Sequence, residues 1–357
     1  MKITAFDSFK IGNLLIPNRI VRSATAERIA MQGEADGHLL GEKYAELAKG
    51  GVGLIISGHI AVHASGRLYS SMPSFSSESD LHAWRMAVRM THAAGGKLFL
   101  QINHGGGRCF KGAGEAAICV SPLPDFPKDP MQGMELDDTK IHELIMAFAE
   151  AAGHAREAGA DGVQIHAAHG YLVSQFLSPL TNLRHDDWGV SLEHRAKFLV
   201  MALRGVRKTV GEDFPIGIKL GVCDDDPAGL KLEETLQVAK WAEADGLDFV
   251  EISGAFRKDL ALRHVKPGVN EGYYLPFAAR FKQELKIPVF VVGGWRSLEK
   301  MNEALSSGQC DAVSMSRPLI CQPDYPDVLR AGGKTLCRSC NLCLLKQDGP
   351  TKCYSKK

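Results

Sequence analysis

The amino-acid sequence predicts an α/β protein of the (β/α)8 TIM-barrel class, folded as a single domain. Short runs of β-branched and other apolar residues recur along the chain, and amphipathic stretches lie between them. The runs are apolar throughout, which is typical of parallel strands that are buried on both faces. Eight strands of this kind, with helical stretches between them, favour a closed barrel.

The elements follow one another in a regular order. The candidate strands are Ile20–Ser23, Gly53–Ser57, Lys97–Ile102, Gly162–His166, Ile216–Leu220, Phe249–Ser253, Val289–Val292 and Ala312–Ser316. The predicted helices are Glu42–Lys49, Asp80–Ala94, Thr139–Ala158, Leu192–Val210, Leu232–Ala244, Tyr274–Leu285 and Leu298–Ser306. Asp137 and Asp138 lead the third helix as capping residues. A doubly wound open sheet is the alternative, but no GxGxxG motif follows an early strand.

Two segments interrupt this alternation. Residues Gly105–Asp138 follow the third strand, are rich in Gly and Pro, and are predicted to form a lid or subdomain over the barrel mouth. Residues 337–357 form a cysteine-containing tail. A count of 357 residues suggests two domains at about 150 residues each, yet such barrels exceed about 200 residues as one unit. We therefore expect one barrel domain over residues 1–336, followed by the tail.

Composition and charge exclude several classes of protein. Hydrophobic residues (45%) and charged residues (23%) are close to globular averages, which excludes disordered, collagen-like and coiled-coil chains. The net charge of +1 offers no broad basic surface for nucleic acid or an acidic membrane. The longest weakly polar run, residues 51–62, is too short for a bilayer, and the N-terminus lacks an apolar signal core. We expect a cytoplasmic protein, whose oligomeric state, homo-oligomers included, stays open.

The most informative residues follow the fourth strand, because active sites of such barrels lie at the carboxyl ends of the strands. His166 and His169 are two imidazoles three residues apart, which can donate two hydrogen bonds to one ligand oxygen or bind a metal. Tyr171, two residues further on, can deliver a proton. The alternative is that both histidines have only a structural role in a loop.

Other strand ends suit an anionic, planar ligand. Gly293 and Gly294 allow backbone N–H groups to approach a phosphate, and Arg317 adds a cationic fork after the eighth strand. A tight turn is the alternative explanation for the glycine pair. Lys219 and Gln101 supply a cation and an amide that can hold the pyrimidine edge of a flavin, and a buried salt bridge is the alternative for Lys219.

Several blocks carry a family resemblance. The run His166–Phe198 reads HAAHGYLVSQFLSPLTNLRHDDWGVSLEHRAKF, and further blocks lie at residues 18–25, 101–108, 271–274 and 314–318. Together, and in order along nearly the whole chain, these blocks resemble the Old Yellow Enzyme family of flavin oxidoreductases.

The resemblance implies a barrel that holds FMN noncovalently and takes hydride from NADH or NADPH. The hydride would pass on to the β-carbon of an α,β-unsaturated carbonyl compound. His166 and His169 match the pair that binds the substrate carbonyl oxygen, and Tyr171 matches the proton donor to the α-carbon. The implied cofactor-binding residues are Ser23, Ala24, Thr25, His59, Gln101, Lys219, Gly293, Gly294, Ser316 and Arg317.

The chain departs from the family pattern at three positions. Ala26 stands where many relatives have a Thr or Cys near the flavin, so the flavin potential is in question. Arg28 stands where many have a substrate-lining Tyr; it can accept a carboxylated substrate, or be a solvated charge at the rim. His59 stands where a small residue is common, which suggests a contact through its backbone only.

The tail carries four closely spaced thiols, Cys337, Cys340, Cys343 and Cys353. Such spacing suits a tetrahedral metal or an iron–sulfur cluster. The segment resembles the cluster-binding cysteines of 2,4-dienoyl-CoA reductase and trimethylamine dehydrogenase, in which the last gap is longer and extra nucleotide-binding domains follow. A [4Fe-4S] cluster, zinc and unligated thiols all stay open.

The expected function is that of an FMN-dependent ene-reductase using NAD(P)H and a small-molecule substrate. An amine dehydrogenase or demethylating flavoenzyme that feeds a cluster is one alternative. A metal-dependent barrel hydrolase or lyase that uses His166 and His169 is another, and a noncatalytic sensor of flavin or phenolic ligands is the last.

Overall fold

The computed structural model describes residues 2–31, 34–75, 77–110, 117–123, 131, 133–255, 264–346 and 349–355. Eight parallel strands form a barrel: β1 (Ile20–Arg22), β2 (Leu54–Ile56), β3 (Leu98–Asn103), β4 (Gly162–Ala167), β5 (Ile216–Gly221), β6 (Phe249–Ser253), β7 (Val289–Val292) and β8 (Ala312–Met315). Each strand pairs with the next along the chain, and β8 pairs with β1, which closes the sheet. The predicted (β/α)8 fold is confirmed.

Helices surround this barrel. In chain order they are α1 (Gly37–Lys49), α2 (Glu78–Ala93), α3 (Asp138–Glu157), α4 (Leu172–Leu177), α5 (Leu192–Val210), α6 (Leu232–Ala244), α7 (Leu275–Glu284), α8 (Leu298–Ser306), α9 (Arg317–Cys321), α10 (Tyr325–Arg330) and α11 (Leu342–Leu345). The short helices α4, α9, α10 and α11 were not predicted, because each has too few residues for an apolar period to be recognised. None of the described helices is long and apolar enough to span a bilayer.

Side-chain caps determine where several helices begin. The carboxylate of Asp36 accepts a hydrogen bond of 2.9 Å from the backbone N–H of Leu39, so α1 begins earlier than the predicted Glu42. The carboxylate of Asp137 likewise accepts a bond of 2.7 Å from the N–H of Lys140, which confirms the predicted start of α3.

An apolar cluster fills the barrel at the amino ends of its strands. An antiparallel hairpin of Phe9–Ile11 and Leu14–Ile16, which the sequence did not predict, contributes its apolar side chains to this cluster. Buried Phe99, Phe249 and Phe290 complete it from within the strands. The rings of Phe249 and Phe290 stack with their centroids 4.7 Å apart. The hairpin therefore packs against the base of the barrel, opposite the predicted site.

The insertion after β3 is described in part. Two short strands, Ile118–Cys119 and Met134–Glu135, pair in parallel within it. Residues 111–116, 124–130 and 132 lie outside the described part of the chain. The lid over Gly105–Asp138 and the domain division after residue 336 therefore stay predictions.

We predict that Phe176→Ala destabilises the fold by about 3–5 kcal/mol, measured as the free energy of unfolding in urea. The Phe176 ring is fully buried and stacks on Phe198 with centroids 4.5 Å apart, so the truncation leaves a cavity. Phe110→Ala is the matched control, because that side chain is 66% exposed. Equal effects of the two substitutions would contradict the packing described.

Candidate active site

An open pocket lies at the carboxyl ends of the strands and brings together most of the predicted cofactor residues. Among its lining residues are Ser23, Ala24, Lys219, Gly293, Gly294, Ser316 and Arg317. His169 also lines it, whereas Gln101, His59, His166 and Tyr171 do not. Thr25 lies just behind the lining, since its hydroxyl is 2.8 Å from the hydroxyl of Ser316. The structure therefore brings these residues together at one rim, as their positions at the strand ends predict.

A chain of buried polar side chains runs across the barrel below the pocket. The amide of Gln101 donates to the Gln164 carbonyl oxygen (2.7 Å), and the amide of Gln164 donates to Glu251 Oε2 (3.0 Å). Lys219 Nζ donates to the same carboxylate oxygen and to Ser23 Oγ, both at 2.8 Å. Strand register explains the meeting, because Gln101 pairs with Gln164 and Lys219 pairs with Glu251 on neighbouring strands.

Lys219 therefore fits both interpretations of its role: it forms a buried salt bridge and it lines the pocket. Burial raises the pKa of the Glu251 carboxyl. The charge of the Lys219 ammonium and the hydrogen bonds that the carboxylate accepts outweigh this effect, so that the pKa lies below its ordinary value. Glu251 Oε1 is buried and has no hydrogen-bond partner among the described residues. The ion pair is thus the charged centre of the rim.

The two predicted histidines and the tyrosine form one compact cluster. The ring centroids of His166 and His169 are 4.9 Å apart, as are those of His166 and Tyr171. The backbone turns back at His169 (φ 60°) and Gly170 (φ 72°), in the left-handed region, and this turn brings Tyr171 against His166. The guanidinium of Arg108 lies 5.4 Å from the centroid of the Tyr171 ring.

Burial keeps the imidazoles of this cluster neutral. Burial, followed by the charges of Lys219 and Arg108, lowers the pKa of His169 to about 3. Burial and neighbouring His169 likewise hold the pKa of His166 well below its ordinary value. Nδ1 of His166 accepts the backbone N–H of Ala168 at 3.2 Å, so its single proton resides on Nε2. His166 is thereby set up as a hydrogen-bond donor through Nε2.

The glycine pair after β7 allows a close approach of two loops. The N–H of Gly272 donates to the carbonyl of Gly293 at 2.7 Å. Gly294 has a φ of 77°, and a Cβ on it would lie 2.6 Å from Val265 and 2.9 Å from Tyr273. The tight turn is therefore present, and the same two glycines line the pocket.

Two buried arginines stand at the glycine end of the pocket. Arg317 donates to the side-chain oxygen of Asn341, and Arg296 donates to Ser339 Oγ at 3.0 Å. Burial, and after it the charge of Arg317, lowers the pKa of Arg296, while Cys337 opposes that shift. The sequence did not single out Arg296, which doubles the positive charge available to an anion there.

The predicted thiols of the tail lie near one another. Burial raises the pKa of Cys343, and the charges of Cys337, Cys340 and Cys353 act in the same direction. Within the described chain, however, no three His, Cys, Asp or Glu side chains are arranged to hold a metal ion. That finding covers His166 and His169 as well, so metal ligation by either set stays a prediction.

The tail is anchored beside β1. The Thr351 N–H donates to the Glu27 carbonyl at 2.9 Å, and its hydroxyl donates to the Ala26 carbonyl at 2.6 Å. Lys43 Nζ donates to the Thr351 carbonyl, also at 2.6 Å. Leu344, further back in the tail, lines the pocket, so the tail forms part of the rim.

Arg28 and His59 lie together on the other side of the cluster. The Arg28 guanidinium stacks 4.7 Å from the ring centroid of Tyr69, and the Tyr69 hydroxyl is 2.7 Å from His59 Nε2. The centroid of the His59 ring lies 5.7 Å from that of the Tyr171 ring, and the contact of the His59 backbone with a flavin stays a prediction.

Sequence reasoning missed Gln164, Glu251 and Tyr69. A signal existed for the first two, since each is a polar residue with apolar residues on both sides in a fully buried strand. Tyr69 lies in the loop after Ile60–Ala61 and gave no comparable signal.

Comparisons with known proteins identify the family and the fold. A sequence model of the NADH:flavin oxidoreductase / NADH oxidase family matches residues 4–335. An NADH oxidase of Thermoanaerobacter brockii is 32% identical over 341 residues, which cover 95% of this chain and 52% of that protein. The chain thus spans about half the length of this relative.

Two solved structures have the same fold. A 2-naphthoyl-CoA reductase in complex with 2-naphthoyl-CoA superposes with a TM-score of 0.87 at 28% identity, covering 95% of this chain and 54% of the other. An old yellow enzyme homologue from Zymomonas mobilis gives a TM-score of 0.78 at 25% identity, covering 93% and 94%. The resemblance stated from sequence is confirmed.

We predict that stability falls as the pH drops from 7 towards 5. Burial lowers the pKa of His59 to about 4 and of His104 and His169 to about 3, whereas an unfolded chain protonates them near pH 6.5. The unfolded state then binds more protons, so each imidazole lowers the free energy of unfolding by up to about 1.4 kcal/mol per pH unit.

Urea unfolding at pH 7, 6 and 5 measures this slope. His104→Gln should reduce this slope by the contribution of about one proton, because one group with a lowered pKa is lost. His38→Gln is the control, since that ring is exposed on α1. An unchanged slope in His104→Gln would contradict the proposed neutral state of His104.

Proposed function

The chain belongs to the NADH:flavin oxidoreductase / NADH oxidase family, and on that premise we propose that it is an FMN-dependent ene-reductase. NADH or NADPH would reduce the flavin, and an α,β-unsaturated carbonyl compound would be the oxidant. The observation that carries this proposal is the cluster of two neutral imidazoles and a tyrosine beside a pocket lined by Lys219 and Arg317.

The residues present fit FMN. Buried arginines 296 and 317 and the glycine turn suit a phosphate at one end of the pocket. Ser314 Oγ also lines the pocket and is buried without a hydrogen-bond partner among the described residues. Lys219 and Gln101 at the barrel centre would hold the polar edge of the ring system. FMN would supply the hydride transfer that no side chain can perform.

The protein's own contribution is to polarise and protonate the substrate. His166, through Nε2–H, and His169 would donate hydrogen bonds to the substrate carbonyl oxygen, drawing negative charge from the alkene. The Tyr171 hydroxyl would give its proton to the α-carbon while the β-carbon receives hydride, so that the C=C bond becomes saturated. The Arg108 guanidinium over the Tyr171 ring would stabilise the phenolate left behind.

The tail offers a second candidate cofactor. Within this proposal Cys337, Cys340, Cys343 and Cys353 would hold a [4Fe-4S] cluster beside the pocket. The close spacing of the four cysteines in the sequence supports this assignment. A four-iron cluster spaces its thiolates more widely than a single ion does.

We predict that Tyr171→Phe slows alkene reduction by about 10²–10⁴-fold, because the general acid is lost. Reduction of the bound flavin by NADPH should stay nearly unchanged, since that step needs no proton from Tyr171. Anaerobic stopped-flow absorbance of FMN-loaded protein separates the two half-reactions, with 2-cyclohexenone as oxidant. Equal loss in both half-reactions would contradict the proton-donor role.

We predict that protein purified anaerobically carries four irons and four sulfides per chain. Cys343→Ser should abolish that content, while Cys223→Ser, a half-buried thiol outside the tail, should retain it. Colorimetric iron and sulfide assays measure both. Iron-free wild-type protein would remove the cluster from the proposal and leave ene-reduction untouched.

A further inference from the structure

Arg28 is a half-buried cation close to the proposed reaction centre. It is connected to Tyr171 through two side chains. Its guanidinium stacks on Tyr69, whose hydroxyl contacts His59, and the His59 ring neighbours the Tyr171 ring. Tyr69 and Tyr171 also pack on the same small apolar cluster. Arg28 is thus placed beside the site where a substrate would bind.

The nearest acidic side chain in sequence is already neutralised. The Glu27 carboxylate lies 3.0 Å from Arg22 Nη2 and 2.8 Å from Lys43 Nζ, and it is buried with Arg22. Among the described residues, no acidic side chain forms an ion pair with Arg28. The Glu27 carboxylate thus forms ion pairs with two other cations, and no ion pair among the described residues compensates the charge of Arg28.

The aromatic rings nearest to Arg28 add no negative charge. Burial, and after it the positive charge of Arg28, lowers the pKa of His59 to about 4, so that ring is neutral at neutral pH. Arg108 places a second guanidinium over Tyr171 on the other side of the cluster. The mouth of the site therefore has a positive potential that attracts anions.

The backbone at Arg28 also has an unusual conformation. Its φ of 54° lies in the left-handed region, which bulky residues rarely adopt. Strained positions of this kind concentrate at ligand-binding sites. Here the strained residue is the one that places its guanidinium over the Tyr69 ring, 4.7 Å from the ring centroid.

We propose that Arg28 binds a carboxylate of the substrate, so that this site takes compounds that carry both an activated alkene and a carboxylate group. The inference rests on the proposed ene-reductase function and deepens it. A planar guanidinium donates two parallel hydrogen bonds to a carboxylate, which neither a lysine nor a neutral side chain can reproduce. The carbonyl would bind at His166 and His169 while the acid group lies towards Tyr69.

The test compares two phenolic probes on FMN-loaded protein by isothermal titration calorimetry. 4-Hydroxybenzoate carries the carboxylate, and 4-hydroxybenzamide is its neutral, nearly isosteric partner. Arg28→Gln should weaken binding of the acid by about tenfold or more and leave binding of the amide within about twofold. Arg28→Lys, which keeps the charge but lacks the planar guanidinium, should bind the acid with an affinity between those of the wild type and Arg28→Gln. Arg89→Gln on α2 is the matched control, because Arg89 is exposed.

Two results would overturn the inference. One is a wild-type protein that does not prefer the acid, and the other is an Arg28→Gln variant that loses both probes equally, as a purely structural role would require. Turnover of 3-benzoylacrylate and 2-cyclohexenone separates this inference from the function. Carboxylate binding through Arg28 without alkene reduction would contradict only the proposed ene-reductase function. Alkene reduction that depends neither on Arg28 nor on a carboxylate group in the substrate would contradict only the proposed carboxylate site.

Discussion

The buried ion pair between Lys219 and Glu251 is the interaction on which the rim depends. Two charges removed from water are tolerated only when they are paired and hydrogen-bonded. Strand register places the two residues opposite each other, and further bonds connect them to Ser23 at the end of β1 and to Gln164 on β4. Truncating either partner would leave a buried charge alone at the centre of the barrel.

This pair also separates two electrostatic regions. On one side the guanidinium groups of Arg296 and Arg317 lie near the glycine turn. On the other side His166 and His169 are neutral, partly because the charge of Lys219 opposes their protonation. One region is suited to a phosphate and the other to donating hydrogen bonds to a neutral carbonyl. A single ammonium group thus contributes to both.

The fold and much of the candidate site follow from the sequence, because the relevant signals are local. His166, His169 and Tyr171 lie within six residues, and a single turn brings their side chains together. Glu251 could not be assigned a role in the same way, because its partners lie on two other strands and meet it only through register. The hydrogen bond from Thr351 to Ala26, in the loop after β1, joins residues more than 300 positions apart, and no local sequence pattern predicts it.

The apolar hairpin at the opposite end has a kinetic consequence. Phe9–Ile11 and Leu14–Ile16 cover the base of the barrel, and rings from β3, β6 and β7 fill the space above them. In the described chain, a ligand of the rim pocket therefore has no passage through the base. Under the proposed function, the nicotinamide and the alkene would share one entrance and occupy the site in turn. That arrangement would lead to ping-pong turnover, with each substrate inhibiting the other at high concentration.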